Sequence, residues 1–122
     1  MKSIRDLYKI GKGPSSSHTM GPARAAEIFK SENPDAERYE VVLYGSLAKT
    51  GIGHGTDRVL RDAFAPKDVQ IIFAEHDPDD LKHPNTLDLS AFTGAEKTAS
   101  IRVESIGGGD IVVEGRPGLE PP

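Results

Sequence analysis

A chain of 122 residues, 36% of them hydrophobic and 6% aromatic, is one domain's worth of sequence with apolar side chains for a single modest core. Its formal charge of -4 argues against nucleic acid or an anionic membrane as the main partner, and the lack of cysteine excludes disulfides and any thiolate-held zinc or iron-sulfur cluster within the chain. No apolar run is long enough to span a bilayer and no basic-then-apolar leader opens the sequence, so the expected location is cytoplasmic, with no membrane partner.

Ile4, Leu7, Tyr8 and Ile10 form a short amphipathic lead-in that would press the next stretch onto the body. That stretch, Gly11 to Pro22, reads G-K-G-P-S-S-S-H-T-M-G-P. Between its two Gly-Pro pairs, Ser15, Ser16, Ser17, His18 and Thr19 offer only donors and acceptors on a constrained backbone. Read as residues alone, this is either a binding site or a loop whose serines satisfy their own backbone. Good helix formers follow, so a helix is expected from about Met20 to Ser31, with Pro22 suited to the first helical position and Ser17 or Thr19 near the cap. The polar run then lies at a helix N-terminus, whose unpaired amides and positive dipole end attract a carboxylate or phosphate. Ala25, Ile28 and Phe29 make the apolar stripe, and Asn33-Pro34-Asp35 ends the helix.

Tyr39 to Gly45 is the first strand, and its near-continuous β-branched and aromatic content predicts an interior place in the sheet, closed by Gly45-Ser46. Val59, Leu60, Ala63 and Phe64 repeat at helical spacing, with Thr56 or Asp57 as cap; whether Leu47 to Ile52 is also helical stays open, because Gly51, Gly53 and Gly55 weaken a helix. Val69 to Ala74 is a second strand, expected to be buried, after the Ala65-Pro66-Lys67-Asp68 turn. The acidic stretch after it lacks the glycine and distal glutamate of a calcium loop, so Asp77, Asp79 and Asp80 are expected to be solvated. Leu87, Leu89 and Ala91 alternate on one face of a third strand from Asn85 to Phe92, and Ser100 to Ile106 pairs through Gly107-Gly108-Gly109-Asp110 with Ile111 to Glu114 as a hairpin. Residues 1–115 therefore make the domain and 116–122 a tail or the start of a linker. The expected fold class is α+β, in the order α-β-α-β-β-β-β, with two helices packed on one face of a mixed sheet.

Two segments carry a resemblance. Tyr8-Lys9-Ile10-Gly11-Lys12-Gly13-Pro14-Ser15-Ser16-Ser17-His18-Thr19-Met20-Gly21-Pro22 and Thr50-Gly51-Ile52-Gly53-His54-Gly55-Thr56-Asp57, in that order, resemble the β subunit or N-terminal β domain of the iron-sulfur-dependent L-serine dehydratases, and the likeness runs from Met1 to about Gly115. It implies an α+β domain similar to the substrate-binding regulatory domain of some phosphoglycerate dehydrogenases. It also implies conversion of L-serine to pyruvate and ammonia, without pyridoxal phosphate, together with an α subunit or C-terminal α domain whose cysteines hold a [4Fe-4S] cluster with one open iron. Since this chain has no cysteine, the cluster is expected on the α component, and the chain alone is expected to be inactive.

Dehydrating serine removes the Cα proton and the β-hydroxyl, which calls for a base of near-neutral pKa and a Lewis acid. His18 and His54 stand out because imidazole titrates near working pH and each lies in one of the two motifs. An isolated histidine is more often structural, and that reading stands for His76 and His83, outside the motifs. By the resemblance, Ser15, Ser16, Ser17 and Thr19 help hold the carboxylate and ammonium of the substrate, Gly53, Gly55 and Thr56 form the opposing wall, and Asp57 orients His54 or caps a helix. Both imidazoles are then expected to be at least partly exposed on one edge of the domain. The alternative is a non-catalytic regulatory domain that binds serine or another small anion; a homodimer is the further assembly the sequence leaves open.

Overall fold

The computed structural model describes residues 18–114, without the side chains of residues 51–54. The lead-in from Ile4 to Ile10, the three serines of the first motif and the tail from Arg116 lie outside the described residues.

Helix α1 (Met20–Glu32) follows Thr19, whose hydroxyl makes no cap bond, and it buries Gly21, Pro22, Ala25, Ala26 and Phe29. Pro22 is the third helical residue, not the first as expected. The position is harmless, because the opening amides of a helix have no intrahelical acceptor and a missing N–H is not felt there. At the other end, the backbone N–H and side-chain amide of Asn33 both donate to Phe29 O and close the last turn.

Strand β1 (Arg38–Leu43) is the centre of the architecture. It pairs in parallel with β2 (Asp68–Phe73) and antiparallel with β3 (Thr86–Thr93), which continues into β4 (Glu96–Gly107) and β5 (Asp110–Val113), giving the sheet order β2-β1-β3-β4-β5. The interior place expected for β1 is found, but only one of its faces is buried: Tyr39, Val41 and Leu43 point into the core, while Glu40 and Val42 belong to an open face. That alternation is the mark of a sheet covered on one side; β2, expected to be buried, is instead an edge strand whose residues are half-buried or exposed, because only β1 pairs with it. Leu87, Leu89, Ala91, Val103, Ile111 and Val113 carry the buried face across the neighbouring strands.

The second helical region is two helices, α2 (Gly45–His54) and α3 (Thr56–Phe64). With α1 they lay Ala25, Ala26, Phe29, Leu47, Leu60 and Phe64 against the sheet. The class is therefore the expected α+β with helices on one face of a mixed sheet, and it has one helix more than expected. Full burial of Leu47 and contacts of α2 with α3, β2 and β3 outweigh the weak helix propensity of its glycines. Tyr39 ties the layers together: its ring stacks on Phe64 at 4.4 Å and meets the edge of Phe29 at 6.1 Å, and its hydroxyl donates to Asn33 O. Burial pushes the Tyr39 phenol above its ordinary pKa, which keeps it neutral and a donor. No described helix is long and apolar enough to cross a membrane.

The open face carries an ionic cluster. Arg102 forks onto Asp88, Nε to Oδ1 at 2.8 Å and Nη2 to Oδ2 at 3.0 Å; its Nη1 donates to Asp80 Oδ2 at 3.2 Å, and the Tyr44 hydroxyl donates to Asp88 Oδ2 at 3.0 Å. Hydrogen bonding to Asp88 holds Arg102 firmly ionised, while burial and the same carboxylate push the Tyr44 phenol upward. Asp77, Asp79 and Asp80 in the acidic stretch after β2 are exposed, as expected, and two of these carboxylates also accept hydrogen bonds, Asp80 from Arg102 and Asp77 from the Gly45 N–H.

Candidate functional site

At the end of β1 the chain turns sharply through Tyr44-Gly45-Ser46 into α2. Gly45 has φ +54, and a Cβ placed there would fall well inside contact distance of the Pro84 carbonyl oxygen. Only glycine fits both conditions. The Gly45 N–H donates to Asp77 Oδ1 at 2.9 Å and the Ser46 N–H to Pro84 O at 2.7 Å. The first two amides of α2 thereby find acceptors on the β2–β3 connection, a carboxylate at the positive end of the helix among them. Thr50 adds a bond from its hydroxyl to Ser46 O at 2.7 Å. The Ser46 backbone is consequently fixed from several sides.

Its side chain reaches the first motif. Ser46 Oγ lies 3.0 Å from His18 Nε2. On its other side His18 is held by its backbone, where its carbonyl accepts the Thr56 hydroxyl at 2.6 Å. Thr56 is the first residue of α3 and fully buried; the cap of that helix is Gly55, with φ 75. The first motif is therefore in direct contact with the second.

The remaining expected site residues fall as follows. Thr19 is the residue at the start of α1, and Ser15, Ser16 and Ser17 lie outside the described residues. Gly53 and His54 end α2 immediately before Gly55, and the side chain of His54 is likewise outside the description. Neither Thr56 nor Asp57 caps α3, since Gly55 takes that place; Asp57 sits in the first turn, where a carboxylate interacts well with the helix dipole. The expectation of a partly exposed imidazole is corrected for His18, which keeps 8% of its surface, because Ser46 and Thr56 draw both its ring and its backbone inward. His83 has the structural role expected of it, accepting the Asn85 N–H at Nδ1 at 3.0 Å, and His76 is exposed.

Sequence reading missed Ser46 and the cleft beside it. This cleft, of about 440 Å³, is lined by Ser46, Lys49, Thr50, Asp77, Lys82 and His83 among others, so two lysines and one carboxylate share it with the serine that meets His18. Lys49 and Thr50 follow Ser46 at one-turn spacing, a signal legible only once α2 is known to be a helix. Among the described residues no three His, Asp or Glu side chains gather as a metal site. With no cysteine in the chain, its donor set does not fit a [4Fe-4S] cluster.

Residues 3–70 match the family of the serine dehydratase beta chain. An L-serine dehydratase of Streptomyces coelicolor is 38% identical over 96 residues, covering 71% of this chain and 21% of the relative. L-serine dehydratase TdcG of Escherichia coli is 35% identical over 159 aligned residues, covering 98% of this chain and 35% of the relative. An L-serine dehydratase of Mycobacterium tuberculosis reaches 53% over 60 residues, 44% of this chain and 13% of its own length. The chain thus spans at most about a third of these relatives. Because the matched residues take in both motifs, His18 and Thr56 included, and cover more than half of the sequence, this chain belongs to the serine dehydratase beta chain family.

Proposed function

We propose that this chain is the β component of an iron-sulfur L-serine dehydratase, completing a site whose other half is an α component, and that L-serine is the substrate. The observation that carries the reading is the bond from Thr56 to the His18 carbonyl, which joins the two family motifs at one end of the sheet. In this reading His18 and His54 move the protons of the elimination, one accepting from Cα of serine. Ser15, Ser16, Ser17 and Thr19, with the backbone at Gly53 and Gly55, hold the carboxylate and ammonium of the amino acid. Thr56, its hydroxyl already engaged, contributes by fixing the histidine's backbone. Loss of the β-hydroxyl gives an enamine that tautomerises and hydrolyses to pyruvate and ammonia.

The family is iron-sulfur dependent, and the lack of fitting ligands here supports a cluster held by the α component. The purified chain, treated anaerobically with iron and sulfide, should stay colourless and form no pyruvate from L-serine. Visible absorbance of a bound cluster, or turnover by the chain alone, would contradict this division of labour.

A further inference from the structure

We infer that Ser46 is a positioning residue for the dehydration, acting through the imidazole of His18; the inference rests on the reading that His18 takes part in the reaction. Histidine's ring torsion is broad and two-fold, so a buried imidazole needs a partner to select its ring plane. Ser46 Oγ, 3.0 Å from Nε2, is such a partner; its hydroxyl donates to that nitrogen or accepts from it, so it holds the ring plane in either tautomer. A serine hydroxyl normally rotates freely. Here the residue that carries it is anchored: its own N–H is bonded to Pro84 O, and the preceding amide is bonded to Asp77 while the backbone packs against Pro84.

The same anchoring links His18 to more than its own loop. Through Ser46 the ring is referenced to α2, and through Thr56 its carbonyl is referenced to α3, so the histidine is fixed between two helix starts on one layer of the fold. Gly45-Ser46 lies outside both motifs and owes its place to the strand-to-helix turn.

The experiment uses the assembled dehydratase with its cluster loaded. Ser46 lies in the first turn of α2, where alanine is well tolerated by a helix, so Ser46→Ala should leave the fold and the cluster's absorbance as they are. Its kcat should fall about tenfold, the scale of one hydrogen bond, with KM for L-serine nearly unchanged. Ser46→Thr, which keeps the hydroxyl, should restore most of kcat. In a His18→Gln background, Ser46→Ala should lower kcat no further, because two residues acting as a unit do not add. Wild-type kcat in Ser46→Ala, the same tenfold loss in both backgrounds, or no rescue by threonine overturns the inference about Ser46 alone. Wild-type kcat in the His18→Gln parent would instead remove the reading on which it rests.

Discussion

Replacing His18 by alanine should lower kcat of the assembled dehydratase by about a hundredfold or more, the scale expected when a general acid or base is removed. The variant should still fold. What anchors this residue's backbone is its carbonyl, bonded to the Thr56 hydroxyl, and alanine keeps that carbonyl. The deletion takes its ring partner from Ser46 Oγ but removes no member of the apolar core cluster, which includes Tyr39, Val41, Phe29 and Phe64. The cluster's spectrum should be unchanged, since the chain has no cysteine to ligate it. His54→Ala should behave alike. Near-normal turnover in both variants would leave the family membership standing and remove the catalytic role of the histidines.

Gly45→Ala should be the most destabilising of the substitutions considered, by about 3 kcal/mol. Two penalties combine. Alanine resists a left-handed φ of +54 at about 1–2 kcal/mol, and its Cβ would press on the backbone carbonyl oxygen of Pro84, which cannot swing aside as a side chain can. That same carbonyl accepts the Ser46 N–H, so relieving the clash means giving up the bond that seats α2. A denaturation midpoint within error of wild type would show that the turn is not fixed as described. In the assembled enzyme the variant should also lose kcat, because moving Pro84 and Ser46 moves the partner of His18.

Much of the fold was legible in the residues, and the parts that were not depended on distant contacts. Leu87, Leu89 and Ala91 announce a strand with one buried face because their alternation is local, and Gly107 to Asp110 announces a hairpin for the same reason. β4, by contrast, begins at Glu96 and not at the expected Ser100, since Glu96, Lys97 and Thr98 are polar and join the sheet only by pairing with β3. α2 contains Gly51 and Gly53 and looks helix-poor, yet it is seated by Asp77 and Pro84 from a connection some thirty residues away. Those partners make no local pattern. The two motifs could be found by their residue types, but that they touch, and that His18 is buried in doing so, follows from tertiary packing of Thr56 against the first motif. Ser46 was readable only as the end of a strand.

The most direct test of the account is pyruvate formation from L-serine, measured anaerobically, as a cluster-loaded α component is titrated with this chain. Neither component alone should turn over, and activity should rise with added chain to saturation at one chain per α component, while the His18→Ala chain should saturate the same partner without restoring activity. An α component already fully active without the chain, or a wild-type chain that binds it and restores nothing, would contradict the claim that this domain completes the catalytic site.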